Sequence, residues 1–597
     1  MPTEPIFFHK GLAFDRISAL QEPGFLKTAK NVIFERDGIT EKRPGQAAVN
    51  TTAIGAIHSM KAWRSNIFVN DTTHLRGNAG SGDFTDLYTP FTNAIWQYKA
   101  YKEFLFGSNA TDFILIDEDL NAYPAQVPAP TTAPAGEAGA GGNPNGSYKL
   151  YVTFFITWPN GQTYETGLSP VDADVDVAAQ IISWSAIPVS TYADYYGTAP
   201  TIYRNLYRGP GSTGTLTEIY YVATISDNTT TTYSDDVSDV TLQTGYICSS
   251  EDYLPMIVPK YFEVNYGRIF GIHPTYTDRL YWSEVGVGET SVANELLMPL
   301  SYLTDNWDDL RVAGFDTVDP QGVISYGSYL FIPLKHTWIR KQGNDPDTWA
   351  YRKTYATYGI GAPHTLDRMP QGIIGLSNPE NEAPLMTIFN GQTSEAIVSP
   401  KLNYILKTDL NLDYIAYCRG ARVGQYYHLL YPSNSETTTP DKHLVLDMTR
   451  GMNDVRIANW EDINGMSLST DTQSKKVYFG GSDGYVYEKD DTEGVNIEIE
   501  THDLIGGNAQ LAHTQKTYKE LKYALTGTAT MYLYIDDVLQ TWPDATTSKT
   551  ITGTSELSQV LNSLPQNWKG KRLRIKIVAS DVTEFELYSP WTIESTA

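Results

Sequence analysis

Cysteine is almost missing from this chain: its 597 residues include only Cys248 and Cys418. Two cysteines without a partner at ligand spacing cannot build a disulfide framework or a zinc site, so we expect two buried thiols. Long apolar runs are missing as well, since no stretch approaches the roughly eighteen apolar residues that a membrane-spanning helix needs. The first residues, MPTEPIFFHKGLAFDRIS, lack a basic region followed by an apolar region, and so predict no secretion signal.

Catalytic motifs are also lacking. The chain contains no GxxxxGK[ST] loop, no GxGxxG that opens a helix, no HExxH, no EF-hand loop and no GxSxG. The ten histidines are scattered singly, a distribution more typical of structural than of metal-ligating residues; examples are His9, His58, His74, His273 and His336. We therefore predict no catalytic, cofactor-binding or metal-binding residues and no cofactor, and we expect a protein that is not an enzyme.

Carboxylate clusters leave another interpretation open. They are Asp117-Glu118-Asp119, Asp235-Asp236 and Asp490-Asp491. Paired carboxylates can serve a glycoside hydrolase or hold calcium. Aspartate is also the expected residue at hairpin turns, and we favour the turn interpretation. Ser482-Asp483-Gly484 resembles part of the Asp-box of sialidase propellers, but it occurs once and lacks the Thr-Trp that follows, so a tight turn is favoured there too.

Basic residues are outnumbered, 44 Lys and Arg against 69 Asp and Glu, for a net charge of −25. Because phosphate binding needs cations that displace counterions, this balance disfavours tight binding of nucleic acid. The chain is rich in tyrosine (41) and glycine (47) and has few long amphipathic runs, which favours strands and turns over helices. We predict an all-β protein with very little helix.

One supersecondary unit recurs along the chain: an apolar strand, a tight turn and a second apolar strand. It occurs around Phe68, Phe106, Phe270, Phe331, Phe389, Leu430 and Phe479. Most steps between these hairpins are 38 to 61 residues, and removing residues 126–254 shortens the 164-residue step from Phe106 to Phe270 to 35. Repeats of roughly 40–50 residues are typical of four-stranded propeller blades. The pattern predicts a β-propeller of six to eight blades, a closed ring that leaves few free strand edges.

The residues removed in this count differ in composition from the rest. Residues 127–147, VPAPTTAPAGEAGAGGNPNGS, are dominated by Pro, Ala and Gly and predict a flexible linker or long loop. Short alternating strands follow, beginning at Tyr148–Thr157 and continuing through 201–209, 218–225 and 230–236. Several short strands within about a hundred residues are typical of a β-sandwich, here inserted into the propeller.

The last hundred residues carry longer strands. Along 572–577, Leu573, Ile575 and Ile577 alternate with Arg572, Arg574 and Lys576, which predicts a C-terminal β-sandwich with one cationic face. That face could dock on another surface or could simply be solvated. Five tryptophans beside strand patterns could stack on sugars, although core packing is the default expectation: Trp63, Trp96, Trp158, Trp338 and Trp460.

The opening segment resembles the N-terminal segment of the β-propeller tail proteins of tailed bacteriophages. The residues that carry the resemblance are Gly11-Leu12, Pro23-Gly24, Asn31-Val32, Asp37-Gly38 and Arg43-Pro44-Gly45. Further parts resemble the same family: YVTFFITWPNGQTYETGLSP and IYRNLYRG look like its fibronectin- or immunoglobulin-like domain, GRIFGIHPTYTDRLYWSE like one of its blades, and TMYLYIDD like its terminal sandwich.

The resemblance implies a structural virion protein of the tail, a nozzle or hub, assembled in the host cytoplasm. It implies a homo-oligomeric ring, in that family of six copies, which contacts a tail adaptor or tube protein and tail fibres or a tip protein. DNA would pass along the axis without specific binding, and an excess of Asp and Glu in the channel would lower its retention. Loops between blade strands and residues 127–147 would then be candidates for gating.

Four units follow from these patterns. They are 1–125, an N-terminal segment with the first blades; 126–254, a linker plus the inserted Ig- or fibronectin-like sandwich; 255–495, the remaining blades; and 496–597, the C-terminal sandwich. Two other functions stay open: a receptor- or glycan-binding adhesion propeller, and a glycoside hydrolase. No membrane span is expected in any of these.

Overall fold

The structure of the chain is a computed structural model that describes most of its residues. The described residues are 3–12, 25–34, 38–89, 91, 95–285, 298–380, 382–397, 400–435, 439–452, 454–461, 463, 465–471, 476–504, 514–561 and 564–596. They are nearly all β, in many small antiparallel sheets, as the composition predicts. No helix among these residues is long and apolar enough to cross a membrane.

Five short strands open the chain. The third and fourth of them pair with each other, and the others pair with strands from far along the chain. The five strands are β1 (Thr3–Ile6), β2 (Leu26–Lys30), β3 (Val32–Ile33), β4 (Ile39–Lys42) and β5 (Gly45–Ala48). Two four-stranded sheets follow, each an antiparallel meander in chain order. Sheet 1 comprises β6 (Ser59–Trp63), β7 (Asn66–Asn70), β8 (Leu75–Asn78) and β9 (Thr85–Tyr88). Sheet 2 comprises β10 (Gln97–Tyr101), β11 (Phe104–Ser108), β12 (Phe113–Ile116) and β13 (Ala122–Pro124).

A separate six-stranded sheet interrupts the series. Its strands are β14 (Ala135–Thr157), β15 (Thr163–Glu165), β16 (Val175–Ser185), β17 (Thr201–Pro210), β18 (Tyr220–Ile225) and β19 (Tyr233–Asp235), followed by the short helix α1 (Asp239–Leu242). The first half of β14 pairs with β16 and the second half with β17. Phe154 in the second half of β14 and Trp158, which follows the strand, pack into one core with Phe106 of sheet 2 and with Phe262, so the insert is anchored on the repeating sheets.

The predicted flexible linker is wrong for residues 135–147, which are the first part of β14. These residues pair with β16 through two register shifts, between Ala138 and Gly141 and between Gly141 and Asn145. A strand needs backbone partners rather than apolar side chains, and glycine is common where a strand bulges. The amino-acid composition does not reveal this strand, because the strand is held by hydrogen bonds to the backbone of its neighbour.

Three more sheets of the repeating kind follow the insert. The strands of this stretch are, in chain order, β20 (Leu254–Pro255), β21 (Tyr261–Asn265), β22 (Arg268–Ile272), β23 (Arg279–Trp282), β24 (Ser301–Tyr302), β25 (Trp307–Asp309), β26 (Ile324–Tyr326), β27 (Tyr329–Pro333), β28 (Trp338–Gln342), β29 (Ala350–Lys353), β30 (Asp367–Met369), β31 (Gly372–Ser377), β32 (Leu385–Phe389) and β33 (Ser394–Ala396). Sheet 3 is β21-β22-β23-β25, sheet 4 is β26 to β29, sheet 5 is β30 to β33, and β20 pairs with β24. Short 3-10 turns lie at Leu310–Ala313, Pro346–Thr348 and Pro363–Thr365.

Helix α2 (Pro400–Asp409) and a 3-10 segment, Leu412–Tyr417, lead into the last two repeats. Sheet 6 comprises β34 (Arg419–Val423), β35 (Tyr426–Tyr431), β36 (Lys442–Asp447) and β37 (Arg456–Asn459). Sheet 7 takes only three strands from this part of the chain: β38 (Gly465–Thr470), β39 (Val477–Gly481) and β40 (Val486–Asp490). Its fourth strand is β5 from the N-terminus, which pairs antiparallel with β40.

The seven sheets follow one another around a closed circuit. First strands of successive sheets contact each other, those of sheets 4 and 5 through hydrogen bonds between Arg368 and Ser325, and β38 of sheet 7 contacts β6 of sheet 1. The contact between sheets 7 and 1 includes a 3.0 Å hydrogen bond from the backbone N–H of Ala62 to Oγ of Ser469. Apolar side chains fill the spaces between sheets; for example, Trp338 of sheet 4 stacks on Phe389 of sheet 5 with ring centroids 4.3 Å apart. All seven hairpins predicted from the sequence are present, each as a pair of adjacent antiparallel strands within one sheet.

The C-terminal strands join the N-terminal ones in a larger sheet. They are β41 (Val495–Thr501), β42 (Lys516–Ile535), β43 (Val538–Leu539), β44 (Lys549–Leu561), β45 (Lys569–Gly570), β46 (Leu573–Val582), β47 (Glu586–Tyr588) and β48 (Trp591–Thr596). β1 pairs with β48, β2 with β41, and β4 with β47. Strand pairing therefore groups the first forty residues with the C-terminal strands, which differs from the predicted 1–125 unit.

Candidate functional site

Two residues that carry the family resemblance, Asn31 and Arg43, contact each other in a buried junction between the N-terminus, sheet 6 and the C-terminal strands. Asn31 has a left-handed backbone (φ 58°), and its Nδ2 donates to the carbonyl of Asn496 at 2.8 Å. Its Oδ1 accepts from Nε of Arg43 at 2.9 Å and from the backbone N–H of Glu461 at 2.7 Å. Arg43 is 3% exposed and packs over the ring of Trp460. We call Gly11, Asn31, Arg43 and Gly45 the N-terminal junction.

The two glycines of the N-terminal junction lie where a side chain has no room. A Cβ on Gly11 would be 2.6 Å from the backbone nitrogen of Ile457, and one on Gly45 would be 2.6 Å from Cβ of Glu493. Gly38 has φ +81°, a conformation that favours glycine. Pro23-Gly24 and Asp37 lie outside the described residues. The motif thus holds the N-terminal segment against sheets 6 and 7.

The first carboxylate cluster serves a turn. Asp117 accepts backbone N–H groups of Asp119 and Asn121 at 3.0 and 2.9 Å, and Glu118 forms an ion pair with Arg64 at 2.9 Å. These are the local bonds expected of aspartate at a strand connection.

The carboxylates of the other two clusters also have partners within the protein. Asp235 forms a 3.0 Å ion pair with Arg208, both side chains being fully buried, and Asp490 accepts from the backbone and hydroxyl of Thr492. No group of three or more potential metal ligands exists among the described residues. In the Asp-box fragment, Asp483 accepts from the backbone N–H of Tyr485 and from the hydroxyl of Tyr487, and Gly484 has φ +83°. The turn interpretation is confirmed for Asp490 and Asp483, whereas Asp235 is held by a buried ion pair with a residue of another strand.

The alternating cations of β46 do not form a free cationic face. Arg574 lies 2.8 Å from Glu500, and Lys576 lies 2.8 Å from Glu498 of the neighbouring strand β41. Arg572 pairs with Asp503 at 3.2 Å. Cross-strand carboxylates neutralise this surface, so a docking role that depends on its positive charge loses support.

The two cysteines are free and buried, as expected. Burial raises the pKa of each thiol to about 12, which leaves them protonated and unreactive at neutral pH. Trp96, Trp158 and Trp338 are at most 3% exposed and belong to the core, in agreement with the packing expectation.

Three charged side chains and one serine, from four neighbouring sheets, form a hydrogen-bonded cluster where the first strands of these sheets face one another. Oε2 of the buried Glu263 in sheet 3 lies 2.9 Å from Nζ of Lys99 in sheet 2 and 2.7 Å from Nη2 of Arg368 in sheet 5. Arg368 also donates to Oγ of Ser325 in sheet 4 at 2.7 Å. Oε2 of Glu263 also accepts from the backbone N–H of Ser325 at 3.3 Å, so one carboxylate of sheet 3 reaches three other sheets. We call these four residues the axial cluster.

Lys61 of sheet 1 lies beside the axial cluster and is half-buried. It forms no ion pair with any described carboxylate. Burial lowers its pKa, and Lys99 lowers it further, while Asp367 and Asp471 act in the opposite direction. Sequence reasoning missed this site, although a signal exists: Lys61-Ala62-Trp63 and Lys99-Ala100-Tyr101 precede consecutive hairpins at the same position.

A cavity of about 170 Å³ opens next to the axial cluster, where the first strands begin; we call it the axial pocket. Its lining comes from three sheets: Gln97, Tyr98, Lys99, Gly322, Val323, Ile324, Pro363, His364 and Leu366. A second cavity of about 460 Å³ lies beside Arg76 and Asp83, but Arg76 pairs with two carboxylates and Asp83 accepts from Thr51 and Thr52. The charged groups of that second cavity are thus engaged locally.

Arg419, the first residue of β34, is 9% exposed, and its charge acts on His364, which lines the axial pocket. Its Nη1 donates to the carbonyls of Ala416 and Cys418 at 3.2 and 3.0 Å, while its buried Nε has no hydrogen-bond partner. Burial lowers the pKa of Arg419 to about 10. Burial and the charge of Arg419 together lower the pKa of His364 to about 3 and also lower that of His58.

The sequence matches no protein-family model, and no curated protein matches it. Solved structures with a similar chain path include the computationally designed Ika8 protein, with 7% identity and a TM-score of 0.31 over 74% of this chain and 99% of that one. PorZ of Porphyromonas gingivalis gives 10% identity and 0.24 over 87% and 100%, and Trypanosoma rangeli sialidase in complex with sialic acid gives 9% and 0.22 over 78% and 96%. With TM-scores below 0.5, these similarities support no argument about function.

Proposed function

We propose that this chain is a structural virion protein of a tailed bacteriophage, a nozzle or hub that forms a ring through which DNA is retained and ejected. The observation that carries the proposal is the N-terminal junction. Its residues are those of the family resemblance, and each has a structural task there: a close backbone approach at Gly11 and Gly45, and a buried hydrogen-bond network at Asn31 and Arg43. A short degenerate motif is better supported when each of its described residues has a structural role.

The scaffold we propose is a seven-bladed β-propeller, within the six to eight blades expected. Support comes from six four-stranded sheets and from the four strands of sheet 6, which continue through β2 into the larger C-terminal sheet. Further support comes from β5, which completes sheet 7 with a strand from the opposite end of the chain. Closure of this kind joins the first and last repeats through hydrogen bonds and leaves no edge between them. We further propose that β14 to β19 form an Ig- or fibronectin-like sandwich and that the C-terminal strands form the second sandwich.

On this proposal, DNA does not pass through a single subunit. In the proposed propeller the first strands surround the axis; the axial cluster links four of these strands, and the pocket beside it measures about 170 Å³. A duplex whose major groove alone is about 12 Å wide cannot pass there. The conduit must then be a lumen between several copies, with the acidic surplus of the chain lowering DNA retention.

The first experiment is the mass of the protein in solution. Static light scattering after size exclusion, followed by negative-stain electron microscopy, is expected to give closed rings. Six copies of the 66.5 kDa chain would total about 400 kDa. If the protein stays monomeric alone, tail particles labelled on this chain are expected to show it in a ring around the tail axis.

A monomer that is absent from the tail axis would overturn the proposal. Binding to an oligosaccharide array by that monomer would favour the adhesion propeller instead. Hydrolysis of a polysaccharide that is lost when a particular carboxylate pair is changed to amides would favour the glycoside hydrolase.

A further inference from the structure

Glu165, the last residue of β15, is a buried carboxylate whose hydrogen bonds converge on one oxygen. It is 2% exposed, and no cation among the described residues forms an ion pair with it. Its Oε1 accepts from the hydroxyls of Thr153 and Tyr207, each at 2.6 Å, and from Nδ2 of Asn205 at 2.9 Å. Burial raises the pKa of Glu165, so its carboxylate is a stronger base than one in water. A buried carboxylate without a cation is costly, and groups of this kind concentrate at functional sites.

Two of these hydrogen-bond donors, Thr153 and Asn205, lie directly opposite each other on the paired strands β14 and β17. The side chains of such a pair share one face of the sheet, with Cβ atoms about 5 Å apart. Both residues are at most 2% exposed, which keeps water away from them. The side-chain carbonyl of Asn205 accepts from the hydroxyl of Thr224 at 2.6 Å, which makes the amide carbon more electrophilic. A hydroxyl, a polarised amide and a base that contacts both therefore lie together.

We propose that this site forms a covalent ester between Thr153 and Asn205, with Glu165 as the base. Glu165 takes the proton of the Thr153 hydroxyl, and Oγ1 attacks Cγ of Asn205. The Oγ1–Cγ bond forms and the Cγ–Nδ2 bond breaks. Glu165 returns the proton to the nitrogen, which leaves as ammonia. The ester joins β14, which anchors the insert on the repeating sheets, to its neighbour β17. The inference concerns the insert of one subunit and does not depend on assembly into a ring.

Peptide mass spectrometry of the full chain tests the ester. Trypsin cuts after lysine and arginine, so Thr153 and Asn205 fall on separate peptides, 150–204 and 205–208. After denaturation and digestion near neutral pH, we expect one joined species, lighter than the two peptides together by about 17 Da, the mass of ammonia. Hydroxylamine, which cleaves esters, should separate the joined species into two peptides.

Variants identify the groups that react. Glu165→Gln keeps the size of the side chain but removes the base, and the yield of joined species is expected to fall at least about tenfold. Glu137→Gln, at an exposed position on the same strand as Thr153, is the matched control and should leave the yield unchanged. Thr153→Ser retains the hydroxyl and should retain the ester, whereas Thr153→Val should lose it.

The two Thr153 variants also serve if Glu165→Gln does not fold, which circular dichroism would show. Absence of the joined species from the unaltered protein would mean that the hydrogen bonds around Glu165 form a static network, and the inference would be wrong. An equal yield of joined species from folded Glu165→Gln, or from Thr153→Val, would overturn it as well.

Discussion

Substituting Gly45 by valine is expected to destabilise the ring by about 3 kcal/mol, because β5 can no longer lie against β40. A Cβ at this position would be 2.6 Å from Cβ of Glu493, 2.7 Å from its carbonyl oxygen and 2.9 Å from the carbonyl oxygen of Asp490. Two of these three atoms are backbone and cannot rotate away. The strand must withdraw, and sheet 7 then loses its fourth strand and the connection to the N-terminus.

Hydrogen exchange measured by mass spectrometry locates the effect. In Gly45→Val, amides of Val486–Asp490 are expected to lose protection, and the midpoint of urea unfolding should fall. Ala48→Val is the matched control: Ala48 is exposed at the other end of β5 and pairs with Tyr487, so a change within about 0.5 kcal/mol is expected. Unchanged protection of β40 in the Gly45 variant would mean that β5 does not close the ring.

The recurring hairpins could be predicted because each has a local cause. Apolar residues pack against the neighbouring sheets, and Gly, Asn or Asp supplies the turn, so strand, turn and strand follow from about fifteen adjacent residues. Phe331 of sheet 4 illustrates this: it is buried against Phe389 of sheet 5, with ring centroids 5.0 Å apart. The apolar periodicity therefore records the packing of one sheet on the next.

The closing strand could not be predicted in the same way. Gly45–Ala48 reads GQAA, with no apolar alternation, and its partner β40 lies more than four hundred residues later. The linker prediction failed over 135–147 for the same reason, since backbone hydrogen bonds to a distant strand leave no local pattern. Pairings of high sequence separation are set by the whole fold.

The axial cluster could not be predicted from the sequence either, because its residues are far apart along the chain. Lys99 and Glu263 are 164 positions apart, and only closure of the ring brings them to 2.9 Å. Arg419 follows a 3-10 segment and gives no sequence signal of burial. By contrast, the carboxylate clusters near turns were correctly interpreted, because the bonds of Asp117 and Asp490 are to residues two to four positions away.

Replacing Lys341 with methionine is expected to stabilise the protein by about 2 kcal/mol at pH 7. Lys341 is 3% exposed in β28, and its Nζ lies 3.6 Å from the ring centroid of Trp349 and 4.5 Å from that of Phe270. The two rings stabilise the cation by about 1 kcal/mol, which does not offset its desolvation. Burial lowers the pKa of Lys341 to about 7, with Asp308 acting in the opposite direction. Methionine fills a similar volume without a charge.

The pH dependence separates this cause from better packing. A lysine whose pKa is about 7 in the folded state and 10.5 when unfolded binds fewer protons when folded across that window. The stability of the unaltered protein should therefore rise from pH 7 toward 10.5, by up to about 1.4 kcal/mol per unit, and this part of the slope should vanish in Lys341→Met. Lys353→Met, at an exposed position on the adjacent strand β29, should leave this slope of stability against pH unchanged. Equal slopes of melting temperature against pH in the unaltered protein and in Lys341→Met would show that burial of the Lys341 amine does not destabilise the folded protein.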